Sequence, residues 1–321
     1  MKNTFKKAFT LLELVIVIVI LGIAAKFGSE LLMKAYQDYI YGVSNNRLLG
    51  QSEAAVTQIA NRLQYRIKES VIYREGDHTA IGTFIPTFKS LASASSTIVD
   101  ADGNVTVVEW VGYDIDGWHG NGTSTNPTWS GIIDLDAPHT TTVLNSPATD
   151  NGRISSVISA LSPSNFDGNG SALFFIGDES VNVNDGFAWN ATALTNQSAN
   201  LHPVTLSGAN QFTSLLASPN DFINQDVYEY YRLAWTAYAL ELEKVKDANG
   251  IERGTLWLHY DYRPWLGENY HTNGSRVILM ENVQTLRFSS IGDVMKIQVC
   301  VGDGDIFKQG AYSVCKEKTI F

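Results

Sequence analysis

Apolar residues follow two different rhythms along this chain. Phe9 to Ala25 is an almost unbroken run, Phe-Thr-Leu-Leu-Glu-Leu-Val-Ile-Val-Ile-Val-Ile-Leu-Gly-Ile-Ala-Ala, and its first polar break is Lys26. A helix of that length rises about 25 Å, a little short of a hydrocarbon core of roughly 30 Å. Leu31, Leu32 and Met33 extend the apolar surface. From Lys34 to Arg74 there is no proline, and the only glycines are Gly42 and Gly50. Tyr36, Ile40, Val43, Ile59, Leu63, Ile67 and Val71 recur largely at helical spacing, with Arg62, Arg66, Lys68 and Glu69 on the other side. The pattern predicts one long helix from Thr10 to Arg74, membrane-embedded in its first half and packed on a sheet in its second.

From Gly76 onward the period shortens to that of strands. Thr106–Tyr113 and Ser171–Ile176 read as strands. Ala234–Glu243 and Leu256–Tyr262 read as a hairpin around the turn sequence Asp247-Ala-Asn-Gly250. Leu256, Leu258, Tyr260 and Tyr262 alternate with Trp257, His259 and Asp261, which predicts one apolar face and places His259 and Asp261 as a surface pair. Val277–Val283 reads as a short helix before a last hairpin, Arg287–Ser289 with Val294–Val301, across Gly292-Asp293. A long N-terminal helix followed by an antiparallel sheet is an α+β fold.

Charge divides the chain further. The 321 residues carry a net charge of −10, which disfavours nucleic acid as a partner. Residues 1–80 sum to +3, residues 81–220 to −10 and residues 221–321 to −3. The middle segment holds Lys89 and Arg153 as its only cations and is rich in Asn, Ser, Thr and Gly, as expected of a solvated, loop-rich β insertion. Lys2, Lys6 and Lys7 precede the apolar run, so that end stays cytoplasmic and the C-terminal bulk lies outside. A secretory signal cut near Ala25 and a plain signal anchor both fit this layout. Neither accounts for Glu13, a carboxylate that costs on the order of 2.5–3.5 kcal/mol in such a run unless it has a partner.

Lys6-Lys7-Ala8-Phe9-Thr10-Leu11-Leu12-Glu13-Leu14 resembles the class III leader of type IV prepilins and type II secretion pseudopilins. The departure is Ala8, where the family has Gly, and the proline usual near the end of the membrane segment is missing, with Gly22 and Gly28 as soft points. The resemblance implies cleavage between Ala8 and Phe9 by a prepilin peptidase of the inner membrane, and N-methylation of Phe9. It further implies assembly with other pilin or pseudopilin subunits through Glu13 and the new amine at Phe9. The corresponding organisation is a leader over residues 1–8, a membrane and filament-core segment over 9–33, and an amphipathic half-helix over 34–75. An exported domain follows over 76–321, with an insertion at about 114–220. Leu279-Met-Glu-Asn-Val283, Leu286-Arg-Phe288 and Val294-Met-Lys-Ile-Gln-Val299 are similar to the ending of large minor pilins and J-type pseudopilins. The function implied is that of a minor-pilin-like structural subunit of a type IV pilus or type II secretion pseudopilus. The alternative is a tip-located adhesive or ligand-binding protein of the same class.

Cys300 and Cys315 fall in the exported part. Outside the cytoplasm such a pair closes a disulfide, the alternative being two buried thiols. Many pilins staple their C-terminal region in this way, which favours the bridge. Calcium is a candidate ligand because four Asp/Asn-x-Asp/Asn-Gly runs, at Asp100/Asp102, Asp114/Asp116, Asn165/Asp167 and Asp247/Asn249, give three positions of an EF-hand-like loop. All four lack its first and last ligands, and such runs are also common turn chemistry. Asp303 and Asp305 are a further candidate, by analogy with the C-terminal calcium sites of major pseudopilins. No nucleophile elbow, metalloprotease helix or phosphate loop is present, the six histidines are scattered, and no catalytic role is assigned. The sequons at Asn104, Asn121, Asn190, Asn196 and Asn273 reflect an Asn/Thr/Ser-rich chain.

Overall fold

A computed structural model describes residues 10–76, 82–93, 98–99, 105–120, 126–137, 142–178, 181–197, 199–223, 225–246, 252–302 and 313–321. The chain forms two compact units, Met1–Gly50 and Gln51–Phe321. Helix α1, Leu11–Leu63, begins in the first and ends in the second. Within the first unit its apolar side chains lie bare: Leu12 is 71% exposed, Ile18 60% and Leu32 70%. Unmet apolar surface of this extent calls for lipid or a protein partner.

In the second unit the last turns of α1 bury Ala55, Val56, Ile59, Ala60 and Leu63, one face of a helix. Nearby polar contacts place that face on the main sheet. Lys316 reaches Glu53 at 3.0 Å, and Arg62 acts electrostatically on Tyr238. The helix stops at Leu63, eleven residues before the expected Arg74. Backbone beyond it is claimed by a strand: Ile67 N–H donates to the Val111 carbonyl, Tyr113 N–H to that of Tyr65, and Arg66 bridges to Gly112. The Arg66 guanidinium caps the helix end, donating to the Leu63 carbonyl at 2.7 Å and the Asp293 carbonyl at 2.5 Å. Arg74 itself lies in a strand, where the Val71-Ile72-Tyr73 run has the stiff and aromatic side chains that suit extended backbone.

The strands are β1 Ile72–Gly76, β2 Lys89–Ser90, β3 Ile98–Val99, β4 Val105–Gly112, β5 Val143–Asn145, β6 Ser171–Phe175, β7 Leu201–Ser207, β8 Gln211–Ser214, β9 Tyr231–Ala234, β10 Thr236–Lys246, β11 Glu252–Tyr262, β12 Ser275–Ile291, β13 Val294–Gly302 and β14 Ser313–Ile320. The main sheet runs β14-β13-β12-β11-β10-β4-β1-β2, with β3 also on β12, and every pair is antiparallel. The expected helix over Val277–Val283 is instead part of the 17-residue strand β12. Its Val, Ile and Met positions pair with β11, and this long-range pairing outweighs a local pattern too short to define a helix.

The insertion, joined by β9 beyond its expected end near residue 220, builds a second sheet, β5-β8-β7-β6-β9, and two helices, α2 Ile115–His119 and α3 Asn151–Leu161. Ala172 and Phe174 of β6 face one core, shared with Val107, Val111, Ala237 and Ala239 of the main sheet. Leu173 and Phe175 face the other, against Ile154 and Ile158 of α3. The second sheet is therefore covered on both sides, which is why Ser-Ala-Leu-Phe-Phe is an unbroken apolar run. The chain passes from β9 to β10 through Trp235, so one extended stretch serves both sheets.

Cys300 and Cys315 face each other across β13 and β14 and are joined in a disulfide. The bridge holds the C-terminal edge strand. Replacing Cys315 with alanine should lower stability by about 3 kcal/mol, checked by urea unfolding with and without reductant.

Candidate assembly site at the helix N-terminus

The first turn of α1 carries a reciprocal cap. Thr10 stands just before the helix. Its hydroxyl accepts from the Glu13 N–H at 3.3 Å and donates to Glu13 Oε2 at 3.0 Å, while its own N–H donates to the same oxygen at 3.0 Å. This is a capping box, Thr-x-x-Glu, which satisfies two of the backbone donors that every helix start leaves open. A carboxylate here also meets the positive end of the helix dipole. Both bonds to the carboxylate fall on Oε2, and among the described residues Oε1 takes none. The box was legible in the sequence as Thr10-Leu-Leu-Glu13, yet reading Glu13 for its charge alone overlooks Thr10.

The other sequence candidates disperse. Ala8, Phe9, Asp100, Asp102, Asp303 and Asp305 lie outside the described residues. Asp114 and Asp116 do not converge on a cation: Asp114 is buried and takes the Gly117 N–H at 3.0 Å, whereas Asp116 is exposed. Among the described residues, no three His, Cys, Asp or Glu side chains come together as a metal site. His259 and Asp261 are 1% and 0% exposed, so the expected surface pair is a buried one. They do not meet each other. His259 Nε2 pairs with Glu241 at 2.8 Å and Nδ1 with the Tyr270 carbonyl at 3.1 Å, while Asp261 accepts the Ser164 N–H at 2.9 Å. Strand β11 is interior to its sheet and packed on both faces, so alternation there separates two cores and does not divide core from water.

Arg74, Glu109 and Asp114 are buried charged groups of the second unit with unequal support. Arg74 and Glu109 form an ion pair with each side chain 1% exposed. Arg74 also donates to the carbonyls of Ile85 and Trp189, and the Tyr262 hydroxyl donates to Glu109 at 2.8 Å. Burial and the neighbouring carboxylate raise the Tyr262 phenol well above its usual range, so it remains a donor. Asp114 has no such support. Its Oδ2 and the Thr128 hydroxyl are both buried without partners. Burial pushes its pKa from 3.8 to about 6, with nearby Asp116 adding to the rise and the Gly117 N–H opposing it.

That shift has a definite sign. The folded chain holds the Asp114 proton more tightly than the unfolded chain, so stability falls as pH rises from about 4 through 6 and then levels off. Asp114→Asn removes the ionising group and keeps an oxygen for Gly117. The variant should gain about 3 kcal/mol over the parent at pH 7.5 and little at pH 4, as read from melting curves at the two pH values.

A long helix that is bare and apolar over its first half, headed by a carboxylate in a capping box and followed by antiparallel sheets, is an α+β arrangement consistent with a pilin-like fold. Residues 4–25 match the family model described as the prokaryotic N-terminal methylation motif. That segment is the class III leader of type IV pilins, and α1 is long and apolar enough to cross a membrane. Searches of curated proteins and of solved structures give no match for this chain.

Proposed function

We propose that the chain is a minor-pilin-like subunit of a type IV pilus or type II secretion pseudopilus. It is made as an inner-membrane precursor with one pass and its second unit outside the cytoplasm. A prepilin peptidase cuts between Ala8 and Phe9 and methylates the Phe9 amine, and the product joins other pilin or pseudopilin subunits through α1. The observation that carries this reading is the Thr10–Glu13 box at the head of an exposed apolar helix, within the matched segment of residues 4–25. Glu13 is held by Thr10 through one oxygen, and the amine of a neighbouring chain supplies the partner for the other. The pair neutralises both charges and sets the stagger between helices in one contact.

Processing offers the direct test. Protein recovered from membranes should begin at methylated Phe9, which removes Lys2, Lys6 and Lys7 and takes the net charge from −10 to −13. N-terminal mass spectrometry showing an intact Met1, or a start near Lys26, rejects the reading.

A further inference from the structure

The stretch between β6 and β7 encloses an open cavity of about 290 Å³ that the assembly reading leaves unused. Its polar walls are Asn182, Asp185, Asn190, Thr192, Thr195 and Asn196, and Gly186 with several alanines leaves the room between them. The walls are held in place. Asn182 N–H donates to Asn200 Oδ1 at 2.9 Å and its side-chain amide to Asp185 Oδ2 at 2.9 Å, and Thr192 N–H donates to Asn190 Oδ1 at 3.1 Å. From outside, Leu194 N–H binds the Trp265 carbonyl at 3.0 Å and Arg74 binds that of Trp189 at 2.7 Å. A Cβ on Gly186 would lie 1.9 Å from Asn200 Oδ1, so this position requires glycine.

These internal bonds leave a defined set of groups over. Among the described residues, the second Asp185 oxygen, the Asn190 side-chain amide N–H groups and the hydroxyls of Thr192 and Thr195 take no partner, and all four side chains are open to water. They comprise donors and acceptors together. Among the described residues no lysine or arginine lines the cavity, so they offer an anion no counter-charge. Among the described lining residues there is no aromatic ring and Leu194 is the one large aliphatic side chain, so they offer an apolar ligand little contact. Calcium takes about 6–8 oxygens, whereas among the described residues a single carboxylate lines the cavity and one of its oxygens already accepts an amide. Mixed donors and acceptors, with one carboxylate and little apolar surface, suit a ligand made of hydroxyl groups. We infer that this cavity binds a neutral saccharide, a function separate from filament assembly.

The test uses the full chain in a detergent without sugar headgroups. It is applied to an array of neutral hexose and N-acetylhexosamine oligosaccharides, and the best-bound sugar is then titrated calorimetrically. Asp185→Asn and Thr192→Val should each weaken binding about tenfold, with melting temperatures unchanged. The inference is overturned by no binding at concentrations up to about 10 mM, or by binding that both substitutions leave intact. Calcium chloride titrated alone forms the third arm: stabilisation of the parent that Asp185→Asn abolishes replaces the saccharide with a cation. Sugar binding is measured on the unassembled chain, so failure here leaves the assembly reading standing, and failure of assembly leaves this one standing.

Discussion

Glu13→Val is expected to insert in the membrane at least as well as the parent and to be cleaved normally, yet to stay out of filaments. Valine removes an insertion cost of roughly 2.5–3.5 kcal/mol, so the membrane step cannot suffer. What disappears is the acceptor for a neighbour's amine. Once the proposed cleavage has removed the three leader lysines, the next cation of the chain, Lys26, lies about 20 Å along the helix. Glu13→Ala should behave in the same way. Thr10→Val separates the two roles of the carboxylate, since it loses the hydroxyl that caps Glu13 N–H but keeps Glu13. It should cost about 1 kcal/mol of helix-end stability and reduce filament entry only partly. Glu30→Ala is the control, because Glu30 is exposed and pairs with Lys26 at 3.9 Å in a contact of little worth. Membrane fractionation read beside co-purification with filament subunits distinguishes these outcomes. Normal incorporation of Glu13→Val would leave an anchor with an unexplained acid and remove the assembly role.

The largest loss of folded-state stability should come from Arg74. Arg74→Ala strands Glu109 in a site where it is 1% exposed, keeping the Tyr262 hydroxyl but no cation. Breaking a buried pair from one side costs about 3–5 kcal/mol. The same change releases the carbonyls of Ile85 and Trp189 and empties the space over the Phe84 ring, which the guanidinium carbon approaches to 4.8 Å. Urea unfolding of the full chain in detergent measures the loss. The double variant Arg74→Met/Glu109→Leu should recover most of it, because two apolar side chains carry no unpaired charge. A single variant within about 1 kcal/mol of the parent would mean that the pair contributes little beyond packing.

Much of this molecule was legible because its signals are local. The apolar run to Ala25, extended by Leu31, Leu32 and Met33, marks a candidate span, and Glu13 stands out because a carboxylate has no cheap place in such a run. The hairpin over β12 and β13 follows from its turn at Gly292-Asp293. The misread elements share a different cause. Nothing near Gln64 in the sequence ends the helical spacing. It ends because Val111 and Gly112, about fifty residues later, take over the backbone hydrogen bonds of Arg66 and Ile67. Val277–Val283 has too few residues to declare a period, and its strand exists because β11 lies beside it. His259 and Asp261 were assigned to water by a rule that holds for sheets with one wet face.

By itself the sequence determined the anchor, the leader, the capping box and the α+β order of elements, since each depends on residues within a turn or two of one another. Tertiary structure alone decided where α1 stops, that the insertion is a sheet covered on both sides, and that Arg74 meets Glu109. It also decided that the loop from Asn182 to Asn200 closes round a polar cavity. These outcomes depend on which distant backbone groups and charges are left without water, and that is settled only when the layers pack.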